Sequence, residues 1–222
     1  MRADWLEVDW PPRAPFVRNC SRNGSETRAQ TIARALAPLR SGTRDAHERL
    51  ESRLRRELLS ETAVSYVDVL SRLLGVYAPL ESRLESQLQH HWPALDLVAR
   101  RKVPLLRADL ADLGLTRQMI AAVPQCAYVP APVSSAEALG CLYVLEGATL
   151  GGKVILRAVA ASALRDGRRG GAFFGAYGSL VGQRWREFTA VVADATAAGA
   201  DPAVIVSGAR ETFAAMEEWL CR

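Results

Sequence analysis

From Thr31 onward, apolar residues recur at steps of three and four, and runs alternating at a step of two are scarce. Leu36, Leu39, Thr43, Ala46, Leu50 and Leu54 make one such stripe on an arginine- and glutamate-rich background. Side chains at these steps share one face of an α-helix, so the stripe predicts an amphipathic helix. Tyr66, Val69, Leu70, Leu73, Leu74, Tyr77 and Leu84 repeat the pattern within residues 60–91, which Trp92-Pro93 ends. Pro79 is expected to interrupt or kink that helix. Leu105, Leu106, Leu110, Leu113 and Leu115 form a shorter segment punctuated by Gly114. A cap at Ser134-Ser135 followed by Glu137 opens a helical pattern over residues 134–165. The last long pattern runs from Pro202 to Leu220 through Val206, Ala209, Phe213 and Met216. Tyr128-Val129, the best strand signal, lies between prolines. The expected fold class is all-α, a single helical domain over residues 31–222.

Residues 1–30 differ. They carry Pro11, Pro12 and Pro15, two of the five tryptophans and a polar run from Cys20 to Gln30, and they read as an irregular extension. The chain of 222 residues is long enough for one substantial core. No stretch of about 18 apolar residues exists to span a membrane, and the N-terminus lacks the apolar core of a secretory signal. The 28 basic residues, almost all arginine, exceed the 24 acidic ones by a dispersed +4, too mild for a general nucleic-acid binder. Cys20, Cys126, Cys141 and Cys221 stand apart without metal spacing, as expected of reduced thiols in the cytoplasm.

Most enzyme templates are absent. The chain has no GxSxG, P-loop, dinucleotide fingerprint or HExxH, and no ExxH pair of a di-iron bundle. Two segments remain that core-building does not explain. In "LRSGTRDAHERLE", His47 borders the apolar stripe, Glu51 follows one turn later and Arg40 precedes by two turns. An imidazole there can ligate the metal of a flat apolar cofactor, with Glu51 fixing its tautomer and Arg40 facing an acidic ligand group. A buried histidine held by a local carboxylate is the alternative. In "LGCLYVLEGATLGGKVI", three glycines fall within six apolar helical residues, at a cost of about 1 kcal/mol each relative to alanine. Gly147 and Gly151 bare one face, either for close approach of a partner or for tight helix–helix packing.

These two segments, about a hundred residues apart, resemble the haem oxygenase family, most closely its bacteriophytochrome-associated branch. "LLGVYAPLESRL", "RKVPLLRADLADLGL", "FFGAYG" with "RWREF", and "ARETFAAMEEWL" extend the resemblance from about Leu36 to Leu220. It implies a haem oxygenase-like helical bundle that cleaves haem, both substrate and cofactor, to biliverdin, carbon monoxide and iron. O2 and an external reductant such as a ferredoxin or reductase are then required, since no flavin or nicotinamide fingerprint is present. A bacterial phytochrome would be the recipient of the product.

By the same resemblance His47 is the proximal axial ligand to haem iron and Glu51 its orienting carboxylate. Arg40 and Arg186 lie near the propionates, with Arg184 as the substitute should the register slip. Gly147, Gly151 and Gly152 are the distal-helix glycines, and Phe213 lines the pocket or packs the core. Ala148 departs from the pattern, because much of the family places there an aspartate that holds a water network. Glu146 points elsewhere on the helix and Thr149 is a weak replacement, which leaves the proton route unassigned. A haem carrier or sensor with little turnover is therefore a competing reading, and a non-haem helical scaffold a third. His90-His91 is expected at an exposed helix end. The run 165–171, "RDGRRGG", reads as a solvated loop or a docking patch for an acidic reductant.

Overall fold

A computed structural model describes residues 27–59, 66–162 and 170–221, with side chains for 27–54, 66–152 and 170–221. The N-terminal extension to residue 26 and the arginine run 165–169 lie outside the described residues. The described residues form eight α-helices in order: α1 Arg28–Leu59, α2 Tyr66–Leu88, α3 Leu97–Arg100, α4 Val103–Asp112, α5 Arg117–Ala121, α6 Ser135–Ser162, α7 Val181–Ala197 and α8 Pro202–Leu220. Short 3₁₀ turns occupy Pro93–Leu95 and Gly178–Leu180, and no strand occurs among the described residues. The all-α expectation holds.

Helix ends follow local chemistry. Ser134 Oγ accepts from the Glu137 amide at 3.2 Å, and the Glu137 carboxylate accepts from the Val133 amide at 2.7 Å, so the predicted cap starts α6. Asp201 accepts from the Ala203 amide at 2.8 Å ahead of Pro202 and starts α8. Gly114, at φ 95°, turns the chain after α4 where an L side chain would be strained. Helix α7 was not anticipated from the sequence, although Trp185, Phe188, Val192 and Ala195 carry the helical step and all are buried.

Pro79 does not interrupt α2, which runs unbroken from Tyr66 to Leu88. A proline in a helix leaves the carbonyl four residues earlier without its partner. Here that carbonyl belongs to Gly75, and the Cys126 amide donates to it at 2.9 Å from the following loop. Gly75 also has no room for a Cβ, which would lie 2.5 Å from the Pro124 carbonyl oxygen. The helix accepts its proline because the chain segment before α6 supplies the replacement donor.

The centre of the molecule is the crossing of α6 on α8. A Cβ on Gly140 would strike the Ile205 carbonyl, and one on Gly208 would strike the Glu137 carbonyl. The two backbones touch there with no side chain between them. Helix α1 lies along α8 and α7, and α6 lies along α8, α7 and α2. Helices α1 and α6 pack more extensively on α8 and α7 than on each other, so α8 is the common floor of both.

Candidate functional site

Helix α1 presents His47 on the edge of its buried stripe, with 19% of the side chain exposed. Nδ1 stands 3.7 Å from Glu51 Oε2, one turn away. The imidazole meets the Phe213 ring of α8 edge-on, with centroids 5.9 Å apart and planes at 89°. Phe213 is buried, so its ring is a fixed wall against which His47 is oriented. Burial lowers the His47 pKa from 6.5 to about 4, so the ring is neutral at ordinary pH. A neutral imidazole is the form that ligates a metal.

Two turns before His47, Arg40 is half-buried and its Nε is shielded from solvent with no hydrogen-bond partner. On α6, Tyr143 is fully buried near the α1 face, and its hydroxyl also lacks a hydrogen bond of acceptable geometry among the described residues. Burial raises the Tyr143 pKa, and the nearby Thr43 hydroxyl and Arg40 guanidinium moderate the rise. Thr43 spends its own proton on the Leu39 carbonyl at 2.7 Å. Arg40 Nε and the Tyr143 hydroxyl are thus two buried donors on different helices without a well-formed hydrogen bond among the described residues, and the Thr43 oxygen is the acceptor near Tyr143. Each such orphan costs about 1–3 kcal/mol, which an anionic oxygen between them would recover.

One turn beyond Tyr143, Gly147 is buried and Ala148 exposed. A Cβ on Gly151 would meet nothing within 4 Å, so that face of α6 borders open space. Gly152 differs. A Cβ there would strike the Phe174 carbonyl, which gives this glycine a packing reason of its own. Thr149 Oγ1 donates to the Glu146 carbonyl at 2.6 Å, so its proton stays inside the helix.

Arg186 on α7 is exposed and its guanidinium makes no hydrogen bond or ion pair among the described residues; Nη1 lies 3.5 Å from where a Gly182 Cβ would stand. Arg184 is held to Glu187 at 3.3 Å within the same helix. Of the two arginines considered from the sequence, Arg186 is the uncommitted one. The structure therefore joins Arg40, His47, Glu51 and Phe213 into one neighbourhood around α1 and α8, with Tyr143 opposite. Gly147, Ala148 and Gly151 follow Tyr143 along α6.

Sequence reasoning missed Tyr143, and it missed a buried ion cluster behind Glu146. Arg100 and Glu146 form an ion pair in which each side chain is 1% exposed. Lys102, 2% exposed, reaches Glu146 Oε1 at 3.2 Å and donates to Tyr177 Oη at 2.6 Å. Glu146 inside an apolar run, and one of only two lysines just ahead of α4, were the available signals. His90 and His91 are exposed past the end of α2, as expected. Among the described residues no group of three or more His, Cys, Asp or Glu could hold a metal ion, and no helix is long and apolar enough to cross a membrane.

A family model described as "Heme oxygenase" matches residues 33–222. A protein named heme oxygenase, from Xanthomonas campestris pv. campestris (strain 8004), is 36% identical over 161 residues, 68% of this chain and 86% of its own length.

Proposed function

Since this chain belongs to the haem oxygenase family, we propose that it cleaves haem to biliverdin, carbon monoxide and iron, using O2 and an external donor such as a ferredoxin or reductase. Supply of the product to a bacterial phytochrome, and a cytoplasmic location, belong to the same reading. The observation that carries it is the α1 edge: a neutral imidazole held on a buried phenyl ring, two turns from an arginine whose buried Nε has no partner.

The residues fit haem. His47 would ligate its iron, and Glu51, 3.7 Å from Nδ1, would hold the ring's tautomer and direction. Arg40 and Tyr143 offer donors for one carboxylate, since neither Arg40 Nε nor the Tyr143 hydroxyl has a well-formed hydrogen bond among the described residues. Arg186 carries a free guanidinium for the other. Gly147, Ala148 and Gly151 would let backbone, rather than long side chains, border the haem, while Gly152 keeps α6 against the Phe174 carbonyl. Phe213, itself buried, packs edge-on against the His47 ring. When bound, haem supplies the oxygen-activating iron, and the neutral imidazole avoids the strong electron push that a thiolate ligand exerts.

A haem carrier or sensor with little turnover is the second reading. It is favoured by the state of the groups flanking Ala148: the Glu146 carboxylate sits in a buried ion cluster, and the Thr149 hydroxyl is bonded to a helix carbonyl. Hemin titration of the wild type and of His47→Ala, followed by ascorbate under air, separates the readings. The enzyme predicts a one-to-one Soret complex that decays to biliverdin absorption and is lost or much weakened in the variant. A stable Soret band without biliverdin selects the carrier. No specific band in the wild type overturns both.

A further inference from the structure

Four elements send polar groups to one buried point behind the glycine run of α6. Arg100, the last residue of α3, donates to Glu146 Oε2, to the Arg184 carbonyl at 3.2 Å and to Glu187 Oε2 at 3.2 Å. Lys102, just before α4, uses all three ammonium protons: on the Arg100 carbonyl at 2.6 Å, on Glu146 Oε1 at 3.2 Å and on Tyr177 Oη at 2.6 Å. The Tyr177 hydroxyl in turn donates to Glu146 Oε1 at 2.7 Å. The Tyr177 backbone has φ 65°, a left-handed conformation that costs a non-glycine residue about 1–3 kcal/mol.

Buried ion pairs rarely add net stability over a well-packed apolar alternative, because desolvation offsets the attraction. Their attested use is to select one arrangement among several. Here two cations and one carboxylate are nearly dry, and a strained tyrosine closes the network. The carboxylate sits immediately before Gly147. Five residues after it, Gly152 rests on the Phe174 carbonyl, and the Phe174 loop is itself held by Asp109, which accepts from the Ala172 and Phe173 amides at 2.7 and 2.8 Å. The open-faced glycine run is therefore gripped at both ends. Through Arg100, the first grip also holds α7, the helix that carries Arg186.

We propose that Glu146 is a positioning residue: with Arg100, Lys102 and Tyr177 it latches residues 147–152 of α6 to α7, fixing the height of the glycine run above the haem site. This rests on the haem reading of that site. The latch acts through backbone placement, because both Glu146 oxygens are engaged by Arg100, Lys102 and Tyr177. It gives a role to a carboxylate that stands beside the glycine run with both its oxygens committed elsewhere.

Hydrogen exchange on the ligand-free full chain, comparing wild type, Glu146→Gln and Tyr177→Phe, tests the latch without haem. Exchange of the amides at 147–152 is expected to rise about tenfold or more in Glu146→Gln and less in Tyr177→Phe, with the α8 amides unchanged. In the ferric haem complexes, the midpoint pH of the acid-to-alkaline spectral change is expected to move in the same two variants. Wild-type exchange at 147–152 in both variants, or an equal rise along α6 and α8, overturns the latch. If Glu146→Gln loosens the whole chain, Tyr177→Phe decides alone, since it removes one oxygen and leaves the Arg100–Glu146 pair. Absence of any hemin complex in the wild type overturns the haem reading, while the exchange result still decides the latch.

Discussion

At the scale of single residues, His47 and Tyr143 illustrate opposite ways a buried group affects stability. The His47 pKa is lowered to about 4 in the folded chain against 6.5 unfolded, so between these values the unfolded state binds more protons. Stability therefore rises with pH across that window and falls as pH drops from 6.5 toward 4. His47→Leu lacks this proton linkage. The stability of the variant minus that of wild type is expected to grow by about 2 kcal/mol between pH 7.5 and 4.5, read from urea unfolding. A constant difference would mean that the imidazole is solvated. Tyr143→Phe removes a buried hydroxyl that has no well-formed hydrogen bond, so the ligand-free chain is expected to be as stable as wild type or stabler by up to about 1 kcal/mol. Hemin affinity of the same variant is expected to fall, because the donor facing Arg40 is gone. A large loss of ligand-free stability would instead show that Tyr143 bonds Thr43 firmly.

At the scale of elements, the glycines of α6 have separate jobs despite sharing one helix. Gly140 lies where α6 crosses α8, and a methyl group there would run into the Ile205 carbonyl, which is backbone and cannot swing aside. Gly140→Ala is expected to cost more than about 3 kcal/mol, read as a fall in Tm. Gly151 borders open space, so Gly151→Ala is expected to gain up to about 1 kcal/mol in the ligand-free chain from helix propensity. The same methyl group would weaken hemin binding by filling the space the ligand uses. Equal destabilisation by the two substitutions would place Gly151 in a packed interface and remove the open face. Helix α2 makes a related point, since its Pro79 is tolerated only because Cys126 reaches the freed Gly75 carbonyl.

At the scale of the whole molecule, α1 and α6 are joined through α8 and α7 more than to each other, so a ligand between them ties together two parts of the bundle. Hemin is expected to raise Tm, with about 4 kcal/mol of stabilisation at a thousandfold excess over Kd, and to slow exchange in α1 and at residues 147–152 together. Protection of α1 alone would place the ligand away from α6. The helices of this bundle were largely legible beforehand: stripes, the Ser134 cap, the Gly114 turn and the Pro202 start are properties of neighbouring residues, set by sterics and hydrogen bonds over one or two turns. The pairing of His47 with Glu51 was legible for the same reason, lying one turn apart on one helix. The contacts of Tyr143 with the α1 face, and of Glu146 with Arg100 forty-six residues away, were not. They depend on how helices cross, and the α6–α8 crossing is set by two glycines meeting backbone to backbone. Periodicity tells which face of a helix is buried; only the packed structure decides what that face meets, because crossing angle and rotation come from every contact in the bundle at once.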